Sequence, residues 1–345
     1  MANPGSRVKI KRGSRFSYRL RSRLGLLRSS IYVAIRRLFR GSLLPGWSYR
    51  FETGTHFLRR QQNIAFEMPD IARGQEYLNA LFLNSPSPRQ VSIEAEHGPV
   101  QGLWFIPKGD LADITLLYLP GFEYGFRSKF HDTLVAWIAL AAKARTFALH
   151  YRQIPEHPYP AQLEDVRQAH RWLLDNGIDG QRIVVAGDSA GGNLVLALLL
   201  CLREDDMPLP GLAVCLSPWV DMSNSGGSMT SKQSYDWVQK RMLERWAAWY
   251  CNGADPGDPH ISPLNADLHG FPPIYIQAGD ADIFFDMIRQ FNDAAHKQEA
   301  NVSLEVWEHM NHKFQAYGDQ TRQSKLALAH IQKTIERAFR DKAQL

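Results

Sequence analysis

Cysteine is scarce in this chain of 345 residues, and only Cys201, Cys215 and Cys251 occur. Their number is odd and two of them lie in apolar runs, so we interpret them as buried thiols in a reducing compartment. We therefore predict a cytoplasmic protein. The Cys and His residues also lack the close spacing of a zinc site, and we predict no metal ion and no other cofactor.

Long apolar runs are missing as well. Within Leu24–Leu44 the longest uncharged stretch is Ser29–Ile35, far short of the roughly 20 residues that a membrane-spanning helix needs. Arginines interrupt each candidate apolar core of a signal peptide. We therefore expect neither a membrane-spanning helix nor a signal peptide in this part of the chain.

Acidic residues are nearly absent from residues 1–52, which hold thirteen Lys or Arg and one acid, Glu52. The whole chain has a net charge of +5, so the remaining 293 residues sum to −7. The basic character therefore belongs to an N-terminal segment, which argues against an enzyme that acts on nucleic acid. We expect residues 1–23 to form a basic, disordered arm.

The next segment, Leu24–Leu44, is predicted to be an amphipathic helix with one apolar face made by Leu26, Leu27, Ile31, Ala34, Ile35 and Leu38. Two interpretations remain open. A basic amphipathic helix can lie on an anionic membrane surface, or the helix can belong to a lid that packs its apolar face on the body. We favour packing, because the apolar face of such a helix is usually directed at a core.

From residue 86 onward, strand and helix patterns follow each other. A hairpin is predicted from Val91–His97 and Gln101–Ile106. Further strands are predicted at Ile114–Leu119, Thr146–Tyr151, Arg182–Ala186, Leu212–Leu216, Ile274–Ala278 and Val302–Trp307. Helices are predicted at Thr133–Ala144, Gln162–Asn176, Asn193–Leu202, Trp237–Trp249, Ile283–Lys297 and Gln323–Arg340. This alternation predicts an α/β protein with a mostly parallel sheet and helices on both faces.

The domain organisation that we expect has three parts. They are the arm at 1–23, a helical lid segment at 24–85, and a main domain at 86–345. An aromatic-rich insertion at about 222–261 interrupts the alternation and is expected to complete the lid. Its tryptophans and tyrosines suit one wall of an apolar pocket.

The most informative stretch is Gly187-Asp-Ser-Ala-Gly191, between a β-branched run at Ile183–Val185 and the helix predicted from Asn193. A serine on such a sharp strand-to-helix turn adopts a strained backbone, and the flanking glycines let the chain pass. Its hydroxyl then projects from the sheet, beside the positive end of the helix. The pattern predicts that Ser189 is a nucleophile.

A serine nucleophile needs a base, and the base needs an acid. Both occur after later strands: Asp280, Asp282 and Asp286 follow Ile274–Ala278, and His309 and His312 follow Val302–Trp307. The carboxyl ends of parallel strands meet at one edge of a sheet. The spacing alone leaves Asp280 open beside Asp282, and His309 open beside His312.

Six blocks between Ile114 and Gln315 together resemble the hormone-sensitive-lipase-like esterases of the α/β-hydrolase fold. They are Gly187–Asn193, Tyr151–Pro160 with Leu163–Asp165, Ser217–Asp221, Ser262–Leu264, Gly279–Asp286 and Trp307–Gln315. The resemblance implies an α/β-hydrolase whose catalytic triad is Ser189, Asp282 and His312.

One block departs from the family. Where the family has His-Gly-Gly-Gly and an aromatic residue, this chain has Pro120-Gly-Phe-Glu-Tyr124. In register, the amides of Phe122 and Glu123 would hold the oxyanion together with that of Ala190, with Gly121 as loop support. A carboxylate facing the oxyanion would oppose catalysis, so we expect Glu123 to point away.

We therefore predict a serine carboxylesterase, similar to lipases, for small to medium apolar esters, with Tyr124, Trp219 and Trp237 as candidates for the substrate pocket. The alternative is a catalytically weak or non-enzymatic protein that binds a small ligand on the same fold, which the altered glycine loop would suit. The expected partner is a small-molecule ester and not nucleic acid. The basic arm is expected to allow peripheral contact with a membrane.

Overall fold

The computed structural model describes residues 15–81, 90–121 and 124–340. Its centre is an eight-stranded sheet with the order β1-β2-β4-β3-β5-β6-β7-β8. The strands are β1 (Val91–His97), β2 (Gln101–Pro107), β3 (Thr115–Leu119), β4 (Arg145–Leu149), β5 (Ile183–Asp188), β6 (Leu212–Leu216), β7 (Ile274–Gly279) and β8 (Val302–Trp307). Each predicted strand is present, with bounds within two residues of those expected.

The sheet is antiparallel at one edge and parallel elsewhere. β2 pairs antiparallel with β1 and with β4, and β3 to β8 are parallel. Strand order changes direction beside β3, because the chain goes from β3 to β4 on one side and then to β5 on the other. The carboxyl ends of β3 and β5 therefore border the crevice where ligands bind in open α/β sheets.

Ten α-helices surround the sheet in the described residues. They are α1 (Phe16–Arg40), α2 (Tyr49–Phe66), α3 (Ile71–Leu78), α4 (Lys129–Ala142), α5 (Ala161–Asp175), α6 (Ala190–Glu204), α7 (Ser228–Ser231), α8 (Lys240–Cys251), α9 (Phe285–Lys297) and α10 (Arg322–Arg340). Every residue of β5 and β7 is buried. Since successive strand residues point to opposite faces, helices cover both sides of the sheet centre.

The expected boundary between arm and helix is wrong. α1 begins at Phe16 and not at Leu24, so residues 16–23 are helical, whereas residues 1–14 of the expected arm lie outside the described residues. The sequence of 16–23 holds no Gly or Pro, and Phe16 and Leu20 extend the i, i+4 apolar pattern of Leu24. The helix ends at Gly41, whose φ of 67° suits glycine.

α1 packs on the body as expected, but not through the predicted face. The helix packs on α2, but its buried residues are small or polar: Ser22, Gly25, Ser29 and Val33. Four of the six residues of the predicted apolar face, Leu27, Ile31, Ile35 and Leu38, are exposed instead, whereas Leu26 is partly buried against the core. Close helix contact explains the small residues, because a Cβ at Gly25 would lie 2.7 Å from Gln61 Nε2.

Polar contacts hold α1 in this orientation. Arg36 Nη1 donates to Glu52 Oε1 of α2 at 2.6 Å, and the Tyr49 hydroxyl donates to the Ser30 carbonyl at 2.7 Å. Glu52 is 3% exposed, so the Arg36 contact satisfies a nearly buried carboxylate. Among the described residues, no helix has the length and apolar content that crossing a bilayer requires.

The aromatic insertion folds back onto the main domain. It contributes α7 and α8, and Trp246 and Tyr250 of α8 are buried. The Tyr250 ring stacks on Tyr124 with centroids 3.8 Å apart, and the Trp246 ring meets Phe126 edge-on at 4.7 Å. The insertion thus covers the segment that follows β3.

Candidate active site

Ser189 occupies the turn between β5 and α6. Its φ of 55° and ψ of −121° are strained for a residue with a side chain. Glycine is required on both sides: a Cβ at Gly187 would lie 2.4 Å from the Gly191 carbonyl oxygen, and one at Gly191 would lie 1.8 Å from the Leu119 carbonyl oxygen. The Gly-x-Ser-x-Gly spacing is therefore a steric consequence of this turn.

The Ser189 side chain is available for chemistry. It has no exposed surface, and within the described residues its Oγ has no hydrogen-bond partner. The amide of Ala190 is the first of α6, where N–H groups lack partners inside the helix. A hydroxyl left without a partner beside a helix N-terminus suits a nucleophile whose product is an oxyanion.

The structure distinguishes between the candidate acids and histidines. His312 Nδ1 lies 3.2 Å from Asp282 Oδ1 and 3.3 Å from Oδ2. By contrast, Asp280 accepts from the His309 amide at 2.6 Å, and Asp286 accepts from the Ser228 amide at 2.8 Å. Asp280 and Asp286 thus hold loops, and of the three candidate acids Asp282 is the one that contacts a candidate histidine, His312.

The Asp282 contact determines the roles of the two ring nitrogens of His312. An N–H at Nδ1 that donates to the carboxylate leaves Nε2 unprotonated and able to accept a proton. In the described part of the chain Nε2 has no hydrogen-bond partner, so the structure shows no bond between it and Ser189 Oγ. Such bonds are often long in unliganded enzymes and shorten when substrate binds.

The site is closed in this conformation. Asp282 and His312, like Ser189, have no exposed surface. Above the histidine loop, Asn311 Nδ2 donates to Thr55 Oγ1 of α2 at 3.0 Å, and Trp237 Nε1 of the insertion donates to the His312 carbonyl at 2.8 Å. An ester therefore reaches Ser189 only when covering residues move.

Asp236, in the insertion, is a site residue that the sequence analysis missed. Its Oδ2 accepts from the amides of Ile283 at 2.9 Å and His312 at 3.2 Å. Complete burial, and then the nearby charge of Asp282, raise the pKa of Asp236 to about 6. This carboxyl joins the insertion to the acid and histidine loops. No motif surrounds it, so the sequence offered no signal.

A buried ion pair was missed as well. Lys313 Nζ lies 3.0 Å from Asp188 Oδ2, and neither side chain is exposed. Asp188 Oδ1 also accepts from the Tyr118 hydroxyl at 2.9 Å and the Gly121 amide at 3.1 Å. The pair joins the residue before Ser189 to the residue after His312. That adjacency, with opposite charges inside two motifs, was the available signal.

His131 of α4 completes this buried cluster. Its Nε2 lies 3.3 Å from Lys313 Nζ. Burial, followed by the nearby cations Lys313 and Arg127, holds the pKa of His131 well below its ordinary value of 6.5. The neutral imidazole can therefore accept a hydrogen bond from the ammonium group.

Part of the expected oxyanion site is described. The Gly121 amide donates to Asp188 Oδ1, and Tyr151 donates its hydroxyl to the Gly121 carbonyl at 2.7 Å, so neither group of Gly121 is available to an oxyanion. Phe122 and Glu123 lie outside the described residues. Ala190 is the one expected amide donor that the structure places, directly after Ser189.

The three candidate pocket residues lie in the aromatic layer beside His312. Trp237 has its ring centroid 5.5 Å from the imidazole. Trp219 stacks on Phe284, whose ring meets His312 edge-on with centroids 5.0 Å apart. Tyr124 is one layer further, 6.3 Å from Trp219. All three are almost completely buried, so in the closed conformation they are packing residues.

A family model described as the alpha/beta hydrolase fold matches residues 121–316 of this chain. The chain belongs to the α/β-hydrolase family. Among the described residues, no group of three or more His, Cys, Asp or Glu side chains is placed to hold a metal ion.

Relatives of this α/β-hydrolase carry esterase names. An acetyl-hydrolase of Streptomyces hygroscopicus is 41% identical over 205 residues, which are 59% of this chain and 69% of the relative. An esterase of Acinetobacter venetianus is 30% identical over 203 residues, 58% of this chain and 67% of the relative.

Solved structures similar to this chain also include esterases. An esterase of the bacterial hormone-sensitive lipase family is 35% identical, with a TM-score of 0.74, and the match covers 81% of this chain and 96% of that one. A structure of EstE5 soaked with p-nitrophenyl butyrate is 27% identical, with a TM-score of 0.72 over 91% and 98%. The expected fold, the hormone-sensitive-lipase-like family and the expected ester hydrolase are confirmed.

Proposed function

We propose that this α/β-hydrolase cleaves small to medium apolar carboxylic esters through an acyl-enzyme on Ser189. The observation that carries the proposal is the pairing of His312 Nδ1 with Asp282, which directs the imidazole's second nitrogen away from the carboxylate. His312 Nε2 takes the Ser189 proton as Oγ attacks the ester carbonyl. Asp282 stabilises the imidazolium that forms.

The tetrahedral intermediate then expels the alcohol, which receives the proton from His312 Nε2. Water next enters, loses a proton to the same nitrogen, and attacks the acyl carbonyl. The bond between the acyl carbon and Oγ then breaks, which releases the carboxylic acid, and the proton on His312 Nε2 returns to Ser189 Oγ. In each step His312 first accepts a proton from the nucleophile and then donates it to the leaving group. Water is therefore activated by His312, and no metal ion is needed for this.

The oxyanion is held, in this proposal, by the amide of Ala190 and by those of Phe122 and Glu123. Support comes from Ala190, which begins α6, and from Gly121, which Asp188 and Tyr151 hold in place. One donor of this kind contributes on the order of 10²- to 10³-fold in rate. A Glu123 carboxylate directed away from the oxyanion is part of the proposal.

The substrate pocket, we propose, opens between the aromatic layer of Tyr124, Trp219 and Trp237 and a lid formed by residues 24–85 and the insertion at 222–261. α2 and the insertion both contact the histidine loop, which supports their role as a lid. The aromatic lining suits the acyl chain of an apolar ester.

Hydrolysis of p-nitrophenyl esters of increasing acyl length tests the proposal. We expect turnover of short to medium chains and a loss on the order of 10⁶-fold in kcat for Ser189→Ala. Ser303→Ala, a change of an exposed serine of β8 outside the proposed lid, is the matched control and should keep full activity. Equal rates for wild type and Ser189→Ala would contradict the proposal.

We further propose a cytoplasmic location with peripheral membrane contact through the basic N-terminal segment. Residues 1–52 hold thirteen Lys or Arg against Glu52. Charge of this sign is attracted to anionic lipid, by about 1 kcal/mol for each Lys or Arg near the surface.

A further inference from the structure

The outward face of α1 is the largest unexplained feature of the surface. Nine of the fourteen large apolar side chains that are exposed in the described residues belong to this one helix. Seven of them recur at intervals of three or four residues and form an apolar stripe: Phe16, Leu20, Leu24, Leu27, Ile31, Ile35 and Leu38. At 1.5 Å per residue the stripe is about 33 Å long.

The orientation of α1 is the reverse of that of an ordinary surface helix. At 100° per residue, the apolar stripe lies roughly half a turn from the buried Ser22, Gly25, Ser29 and Val33. A helix of a monomeric protein normally buries its apolar face. In α1 the buried face holds small and polar residues instead. The stripe from Leu24 to Leu38 consists of side chains that are 45% to 82% exposed.

Arginines border the apolar stripe on both sides. On the same angular scale Arg19 and Arg23 lie along one margin, and Arg21 and Arg28 along the other. α1 contains seven arginines and no acidic residue. Within the described residues, Arg36 and Arg37 of this helix pair with Glu52, and Arg21 lies over the Tyr77 ring at 5.6 Å. Arg19, Arg23 and Arg28 have no acidic partner there, so their charge is available to an anionic surface.

We propose that the apolar stripe of α1 is a docking surface for an anionic phospholipid bilayer. The helix lies in the plane of the interface, with the stripe among the acyl chains and the marginal arginines at the level of the phosphates. The proposal rests on the membrane contact proposed above and assigns it to particular residues.

Charge decides between a bilayer and a second copy of the chain. Two copies paired through the stripe would bring two rows of arginines together without an acid in either helix. An anionic surface offers both the apolar interior and the opposite charge. Polar contacts already hold α1 on α2 with its stripe outward, so docking needs no rearrangement of this helix.

Vesicle sedimentation of the full-length protein tests the proposal. Phosphatidylcholine vesicles with phosphatidylglycerol should bind the wild type, vesicles of phosphatidylcholine alone should bind it weakly, and high salt should reduce the binding. The triple variant Leu27→Gln, Ile31→Gln, Ile35→Gln should bind on the order of 10²-fold more weakly, because it removes three half-exposed apolar side chains. Arg19→Gln, Arg23→Gln, Arg28→Gln should lose a similar factor at low salt.

A matched control removes exposed apolar side chains elsewhere. Ile93, Val306 and Leu326 are 43%, 47% and 41% exposed, and their change to Gln should leave vesicle binding at the wild-type level. Because these side chains are exposed, each variant should keep the urea-unfolding midpoint of the wild type, which separates loss of docking from loss of the fold. An inactive protein that still binds vesicles would refute only the esterase proposal.

Three results would overturn the docking surface. The wild type could fail to bind anionic vesicles, or the stripe variant could bind them as well as the wild type. In the second case the membrane contact survives but lies elsewhere. A dimer in solution that the stripe variant dissociates, without vesicle binding, would assign the face to a second copy.

Discussion

Replacing Lys313 by methionine removes a buried cation while keeping a long, unbranched side chain. The Nζ of Lys313 lies 3.0 Å from Asp188 Oδ2, and both side chains are completely buried. In the variant the Asp188 carboxylate keeps the Tyr118 hydroxyl and the Gly121 amide as donors but loses its counter-ion. A buried charge without its partner costs about 3–5 kcal/mol.

The double variant Asp188→Asn, Lys313→Met should recover much of that loss. Its neutral amide oxygen still accepts from Tyr118 and Gly121, and no charge is left buried. Replacing both partners of a buried pair is often neutral, so we expect the double variant to be at least about 2 kcal/mol more stable than the sum of the single changes indicates.

Urea unfolding followed by tryptophan fluorescence measures these free energies of unfolding. Lys240→Met is the control, because Lys240 is 41% exposed and lies 3.7 Å from Glu244, and it should change stability by no more than about 0.5 kcal/mol. The kcat on p-nitrophenyl acetate should also fall in Lys313→Met, since the pair joins the segments of Ser189 and His312. Single effects that add in the double variant would refute this account.

Three further variants test other contacts. Asp282→Asn should lower kcat on p-nitrophenyl acetate by on the order of 10³- to 10⁴-fold at nearly constant KM, because His312 loses the acceptor that fixes its tautomer; a loss below tenfold would argue against the pairing. Gly279→Ala should lower the free energy of unfolding in urea by about 3 kcal/mol, because the new Cβ would lie 1.8 Å from the Met310 carbonyl oxygen. Gly98→Ala is its control and should be nearly neutral, because the nearest atom to its new Cβ is Glu96 Oε1 at 3.3 Å. Because the pKa of Asp236 is raised from 3.8 to about 6 in the folded state, the native protein keeps a proton there that the unfolded chain has released. Its contribution to the free energy of unfolding therefore falls as pH rises from about 4 to 6, by up to about 1.4 kcal/mol per pH unit; urea unfolding at several pH values should show this slope reduced in Asp236→Asn, and equal slopes would count against the assignment.

The sheet and its order of helices could be predicted because local patterns and steric rules act together there. β5 begins with the apolar run Ile183–Ala186. Gly187 and Gly191 are required because a Cβ at either position would lie less than 2.5 Å from a backbone atom. The pairing of Asp282 with His312 needed more than spacing. Asp280 and Asp282 are two residues apart, and only the loop geometry directs one to an amide and the other to an imidazole.

Other features depend on long-range packing and left little trace in the sequence. Amphipathicity predicted α1 as a helix, but its apolar face turned out to be directed away from the body. The orientation of α1 is determined by the close approach of Gly25 to Gln61 of α2 and by the bond from Arg36 to Glu52. Asp236 contacts the histidine loop from 76 residues away, and no local pattern indicates such a contact.

Labelling with a fluorophosphonate, followed by mass spectrometry of the peptides, tests the central claim most directly. The probe forms a covalent bond only with a serine whose hydroxyl is activated by a base and whose adduct is stabilised by oxyanion donors. We predict one adduct, on Ser189, that is absent from Ser189→Ala and strongly slowed in His312→Ala. A folded wild type that stays unlabelled, or one labelled at another serine, would contradict the account.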